Sequence, residues 1–150
     1  MRICWVLLLL TLTGWAQPRV EELPEAESDR VAKAFAAQAF AGHDCVSLAH
    51  VYRLVRVDGA IHGLALHQVN LHSGNCSWIH YVQKGNSWKQ IGVGLPDPAA
   101  GDQNIVIPQT TTESIRSHFK DLVRCLGLKK WSLAAQKRLL DPDKFYDANS

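Results

Sequence analysis

The dipeptide Asp58-Gly59 constrains this chain more than any other feature. It stands between two runs rich in β-branched residues, 45–57 and 61–72, and is the strongest short-range signal for a two-residue hairpin. A chain that reverses so tightly between runs of that length builds antiparallel sheet, because parallel pairing needs a long crossover between strands. Ile61, Ala65, Val69 and Leu71 fall on one face of the return run. Residues 76–83 and 88–93 flank Lys84-Gly85-Asn86 and predict a second hairpin, and residues 104–107 a short last strand.

Helical periodicity brackets these strands. Val31, Phe35, Ala39 and Phe40 form an apolar stripe through an Ala-rich segment, with Ser28-Asp29 as a cap and Gly42 as a stop; this predicts a helix over 25–41. Thr110 or Thr111 caps a second helix to about Leu126, with Ile115, Phe119, Leu122 and Val123 on one face and Gly127 after it. Residues 131–140 add a further helical turn or two before a frayed polar tail. The expected fold is α+β: an N-terminal helix packed on an antiparallel sheet of 4–5 strands, followed by a C-terminal helical segment. The domain expected at 28–107 follows a loose acidic leader at 17–27 and precedes a C-terminal extension over 108–150.

The first sixteen residues read differently. Met1-Arg2 is a short basic start, residues 3–12 are almost wholly apolar, and Gly14 and Ala16 place small residues at the −3 and −1 positions of a cut after Ala16. That is the layout of a secretory signal peptide, and the apolar run is about half the ~20 residues a membrane span requires. Export is therefore expected, with an extracellular mature chain of 134 residues and no stable membrane anchor.

Export sets how the cysteines read. Cys4 leaves with the signal, so Cys45, Cys76 and Cys125 remain as disulfide candidates, and three residues allow one bridge in any of three pairings. Asn75-Cys76-Ser77 matches the glycosylation sequon, which makes Asn75 a candidate acceptor.

Catalytic patterns are absent from the sequence. No Gly-x-Ser-x-Gly elbow occurs, carboxylates between residues 44 and 107 are sparse, and Gly92-Val-Gly94 is too short to cradle a phosphate. Seven histidines invite a metal reading, but on a strand the five-residue spacing of His62, His67 and His72 throws His67 to the opposite face. His72 and His80 are placed to meet across a hairpin, with no Cys or carboxylate at zinc spacing beside them. The formal charge of +2 gives no bulk signal for nucleic acid, and no metal or cofactor is expected. Charge is nonetheless uneven: residues 17–30 hold five acids and two bases, whereas 111–140 hold seven bases and two acids. A basic amphipathic helix there suits a membrane or an acidic partner, or is a solvated face whose apolar side packs on the domain.

One stretch resembles a known family. The acidic-led helix Glu25-Ala-Glu-Ser-Asp-Arg-Val-Ala-Lys-Ala-Phe35, the run from His50 to Val57, and Leu64 to Leu71 leading into Gly74-Asn-Cys76 resemble, in that order, the fetuin-type cystatin domain of secreted plasma proteins. The resemblance covers about 50 residues and implies a sheet wrapped around a helix. In inhibitory cystatins it also implies a hairpin wedge that blocks papain-like proteases. This chain departs from that wedge: Arg56-Val-Asp-Gly-Ala60 stands where the family has Gln-x-Val-x-Gly, and Ser87 precedes Trp88 where it has Pro. A cathelin-like arrangement, with a cationic peptide carried behind a cystatin-like part, would involve residues 115–140. A competing resemblance is to lipocalins of the orosomucoid and apolipoprotein M-like branch, in Gln38-Ala-Phe-Ala-Gly42 and in Ser117 to Leu128. It implies a Cys76–Cys125 bridge and a small hydrophobic ligand. Asp44, however, replaces the expected Trp, and five or six strands cannot close an eight-stranded barrel.

The sequence thus points to a secreted, non-enzymatic, cystatin-like binding protein that engages a protein partner. Arg56, Asp58 and Gly59 are the candidate contact hairpin, and a lipocalin-like carrier is the alternative.

Overall fold

The computed structural model describes residues 16–41, 50–68, 76–94 and 111–148. It is α+β, with an antiparallel sheet in the order β1-β2-β3-β4-β5 and helices on both faces. β1 (Val20–Glu22) precedes helix α1 (Glu25–Ala39), and β2 (His50–Val57), β3 (Ala60–Gln68), β4 (Cys76–Lys84) and β5 (Ser87–Gly94) follow as a meander. The chain then forms α2 (Thr111–Cys125), a 3-10 turn at Leu128–Lys130, α3 (Leu133–Leu139), a second 3-10 turn at Pro142–Lys144, and β6 (Tyr146–Asp147).

The two hairpin turns fix the register. Asp58 and Gly59 both take positive φ, 48° and 86°, the type I′ geometry whose twist matches the flanking strands. Gly85, at φ 60°, opens the β4–β5 turn. β2 pairs with β3 from His50↔His67 to Val57↔Ala60, and β3 with β4 from His62↔Val82 to Gln68↔Cys76. A bulge at His80/Tyr81 shifts the β4–β5 ladder.

Period-two alternation assigns each strand residue to a face. Leu54, Ile61, Ala65, Tyr81 and Trp88 point to α1, which buries Val31, Phe35 and Ala39 against them. Val51, Val55, Val57, Leu64, Leu66 and Trp78 point the other way, onto Ile115, Leu122 and Leu126 of α2, Leu128, and Ala135 and Leu139 of α3. With both faces of β2 buried, its sequence reads as one apolar run broken only by Tyr52 and two arginines.

Three expectations shift. Helix α1 begins at Glu25 with Pro24 in the cap position, and the Ser28 amide already donates to the Pro24 carbonyl at 2.9 Å, so Ser28 lies inside the first turn. Proline restricts the residue before it to extended backbone, which starts the helix here; Glu25 and Glu27 then complement its N-terminal partial charge. The acidic leader is not loose: Val20–Glu22 is an edge strand paired with Glu22↔Val55 and its neighbours. The tail is likewise ordered, since Tyr146 and Asp147 pair with Tyr52 and Val51 along the same edge of β2. Short strands of this kind are invisible to periodicity because they span too few residues to repeat. The expected strand at 104–107 lies outside the described residues.

Candidate functional site

Strand direction brings three connections to one end of the sheet. β2 runs into the 58–59 turn, and β4, antiparallel to β3, runs into the 85–86 turn at that same end. β1 starts there too, because Val20 pairs with Val57, so residues 16–19 lie beside the first turn. Asp58, Gly59, Gly85 and Asn86 are all exposed.

This rim is tied down by polar contacts. The Arg19 amide donates to Asp58 Oδ1 at 2.9 Å, and the Asp58 amide returns a bond to the Arg19 carbonyl at 3.1 Å. Asp58 therefore clamps the leader to the turn as an Asx-type acceptor would within one loop. Ser132 donates its amide to Gln17 Oε1 at 2.6 Å, which fixes the leader to the C-terminal layer as well. Ser87 Oγ donates to the Lys84 carbonyl across the second turn at 3.1 Å.

Of the three hairpin residues singled out by sequence, Asp58 and Gly59 are presented outward and Arg56 is turned inward. Arg56 is half-buried on the α1 face, where Nη2 donates to both Glu27 carboxylate oxygens at 2.6 and 2.5 Å and Nη1 to the Gly59 carbonyl at 3.2 Å. The Arg56 hydrogen bond holds the Glu27 carboxyl below its ordinary range. Arg56 thus joins the start of α1 to the hairpin and supports the rim from behind.

Below the rim lies a cleft of about 460 Å³, walled by Pro18, Asp58, His62, Lys130 and Trp131. His62 Nδ1 stands 2.9 Å from His80 Nε2, so one ring donates and the other accepts. The two are diagonal neighbours on the face that carries α2, since His62 pairs with Val82 and His80 with Leu64. Burial pushes both imidazoles down. His80 is lowered to about 3 by burial and then by its neighbour; for His62, burial and Lys84 lower what Asp58 raises. Opposite His80 on β3 stands Leu64, and the histidine the structure places beside His80 is His62. His72 itself lies outside the described residues. The His62–His80 contact was findable only with the β3–β4 register, which no local pattern in the sequence records.

The same face holds a polar group the sequence did not flag. Arg53 is 1% exposed, donates from Nη2 to Glu22 Oε1 at 2.5 Å and from Nη1 to the Asp141 carbonyl at 3.2 Å, and so fills the gap between β1 and β6.

Among the described residues no three His, Cys, Asp or Glu side chains are grouped to hold a metal ion, and no helix is long and apolar enough to cross a membrane. Cys76 opens β4 and Cys125 closes α2, half-buried; Cys45 and Asn75 lie outside the described residues. In class this is an α+β protein with a helix on either side of an antiparallel sheet and a three-part rim at one sheet end. No family model, curated protein or solved structure matches the chain.

Proposed function

We propose that this chain is a secreted, non-enzymatic, cystatin-like binding protein that engages a protein partner through the hairpin end of its sheet. The observation that carries the reading is the rim itself: the leader and two tight turns converge on one end, and the leader is bonded to the Asp58 turn at both of its backbone-proximal contacts. Rigid, exposed turns on a packed scaffold are where recognition residues concentrate, since little conformational freedom is lost on docking. Arg56, Asp58 and Gly59 depart from the inhibitory motif, so the partner is not expected to be a papain-like protease held in its active site. A disulfide from Cys76 to either Cys45 or Cys125 belongs to the same proposal, and non-reducing peptide mapping reads it directly.

The test is a photo-crosslinking amino acid placed at Asn86 on the rim, and in a second protein at Lys33 on the exposed side of α1. Incubated with extracellular fluid, the Asn86 protein is expected to give a discrete protein adduct that excess unlabelled chain competes away, and the Lys33 protein none. Equal labelling from both positions, or a small apolar molecule extracted from the purified protein in stoichiometric amount, would replace this reading, the second in favour of a carrier. A papain titration is expected to show full protease activity at equimolar protein.

A further inference from the structure

Ion pairing differs sharply between the two sides of the molecule. Over 16–94 every described arginine has a carboxylate: Arg19 with Glu21, Arg30 with Glu27, Arg53 with Glu22 and Arg56 with Glu27. Lys33, Lys84 and Lys89 on that side have no ion-pair partner among the described residues, so the contrast lies in the arginines: in the C-terminal layer Arg116 and Arg138 stand unpaired as well. Arg116, Lys120, Arg124, Lys129, Lys137 and Arg138 are all exposed, and among the described residues only Arg124 has an ion-pair partner, Asp121 at 2.9 Å.

Helix geometry arranges these cations. Arg116, Lys120 and Arg124 recur every four residues on α2, so they form one ridge with a rise of ~6 Å between neighbours. Lys137 of α3 lines the same groove as Arg116, which carries the ridge across to the next helix. Asp141 and Asp143 line that groove as well, where Asp141 Oδ1 accepts from the Asp143 amide at 3.1 Å. The groove itself therefore balances two cations with two carboxylates, and the excess of cations comes from Lys120, Lys129 and Arg138 outside it.

We propose that this outward side of the C-terminal layer is a docking surface for a linear sulfated polysaccharide. The charge complementarity is direct: a row of exposed cations at regular rise, of which only Arg124 shares its charge with a carboxylate among the described residues, faces a chain of fixed anions, and binding is driven by release of the counterions those anions had condensed. A membrane fits less well, because the apolar side of α2 that would insert is already used: Ile115, Leu122 and Leu126 are buried against the sheet. Leu133, on α3, is 57% exposed but stands alone as an apolar residue there. Single-stranded nucleic acid would want exposed aromatic rings to stack on, and Phe119 and Trp131 are packed against the core cluster instead. The expected export places the surface where sulfated polysaccharides occur.

The test uses the full mature chain on immobilised heparin, a sulfated polysaccharide, across a salt series. Replacing Arg116, Lys120 and Lys137 by Gln together is expected to weaken binding at least about tenfold at 0.15 M salt and to flatten its salt dependence. A control with the same loss of charge, Lys33→Gln, Lys84→Gln and Lys89→Gln, is expected to change it less than about twofold, all three being exposed elsewhere on the molecule. In the unaltered protein, bound heparin is also expected to protect Lys120 and Lys137 from acylation and to leave Lys33, Lys84 and Lys89 reactive, a readout independent of how the variants fold. Equal losses in the two triples, uniform protection of all lysines, or no retention of the unaltered protein at 0.15 M salt overturns the proposal. Tighter binding to vesicles of one-third phosphatidylserine in phosphatidylcholine, lost in the first triple, would assign the surface to a membrane instead.

Discussion

The two faces of the sheet solve the same burial problem with different chemistry. The α1 face is closed by one helix and is aromatic: the Phe35 ring lies 5.8 Å from Tyr52, 5.5 Å from Tyr81 and 4.6 Å from Trp88, the last two edge-to-face. The opposite face is closed by three pieces from the end of the chain, α2, the 3-10 turn at Leu128–Lys130 and α3, and is aliphatic around one buried indole, Trp78, which meets Phe145 edge-to-face at 5.5 Å. It also admits Arg53 and His80, the two buried polar or charged residues among those described. Shape complementarity around one ring decides the first face. On the second, polar groups join pieces that would otherwise leave gaps, so its stability depends on solution conditions as well as on shape. Substitutions should therefore separate the faces by kind of response.

The largest effect is expected at Phe35, which is fully buried among its three aromatic neighbours. Phe35→Ala should cost about 4 kcal/mol in urea unfolding, from lost transfer energy plus a cavity that rigid rings cannot collapse into. A loss below about 1 kcal/mol would mean that α1 is not the organising element of this face. Gly63→Ala comes next, for the opposite reason. A Cβ there would sit 2.3–2.9 Å from three Phe35 ring atoms, so overpacking should cost about 3 kcal/mol. Phe35→Leu combined with Gly63→Ala should recover part of that loss, which a double-mutant cycle reads as coupling. Additive losses would show that the two sites do not share their space.

The opposite face is tested by acid. Burial keeps the His80 imidazole neutral down to about 3, whereas the unfolded chain takes up its proton near 6.5. Below pH 6.5 the unfolded state therefore binds more protons, and stability, full above that pH, falls as pH drops toward 3. The slope should approach about 1.4 kcal/mol per pH unit from His80, with the lowered His62 adding in the same direction. The lowered Glu27 carboxyl acts in the same direction but below its ordinary range near 4.5, so it adds little slope between pH 7 and 5. Comparing His80→Leu with the unaltered chain over that interval should show a shallower acid limb; an unchanged slope would remove the buried pair as the cause.

A smaller effect is expected where the α1 face meets its edge strand. Gln38 donates to the Trp88 carbonyl at 2.8 Å and accepts from the Trp88 amide at 3.1 Å, so one helix side chain takes both backbone groups at the open edge. Gln38→Ala should cost about 1 kcal/mol and hasten hydrogen exchange at the Trp88 amide. Protection that is unchanged would place the anchor of β5 elsewhere.

The sequence discloses these faces unequally. The α1 stripe, the Asp58-Gly59 turn and the α2 stripe are periodic or positional signals, and each appears where the pattern places it. What the pattern could not disclose is set by register and by short pairings. His62 meets His80 because the β3–β4 ladder pairs residue 62 with residue 82. Arg53 is buried because β1 and β6 both end beside it, and neither strand is long enough to announce itself. The inward turn of Arg56 likewise follows from where Glu27 falls on α1, a distance of 29 residues that no local motif records. At the rim, the turn residues were legible, and the bond from the Arg19 amide to Asp58 was not.

Arg53→Met gives the smallest expected change and the sharpest statement about the second face. The Arg53 guanidinium is buried, which opposes its charge, and Glu22, the nearest carboxylate, answers it from a side chain that is 57% exposed. Its Nε has no hydrogen-bond partner among the described residues. Moving a cation out of water costs about as much as such a half-solvated pair returns, so the net contribution should be near zero. Arg53→Met keeps the long unbranched stem that fills the space between β1 and β6, removes the unpaired nitrogen, and frees Glu22 to water. The expected change in unfolding free energy is therefore under about 1 kcal/mol in either direction. Arg53→Ala, which opens a cavity at the same place, should lose about 2 kcal/mol or more. If methionine is as damaging as alanine, the ion pair itself and not the volume joins the leader and the tail to β2, and the second face is held by charge. If methionine is tolerated, both faces are held by packing, and His80 is left as the group that makes only one of them sensitive to acid.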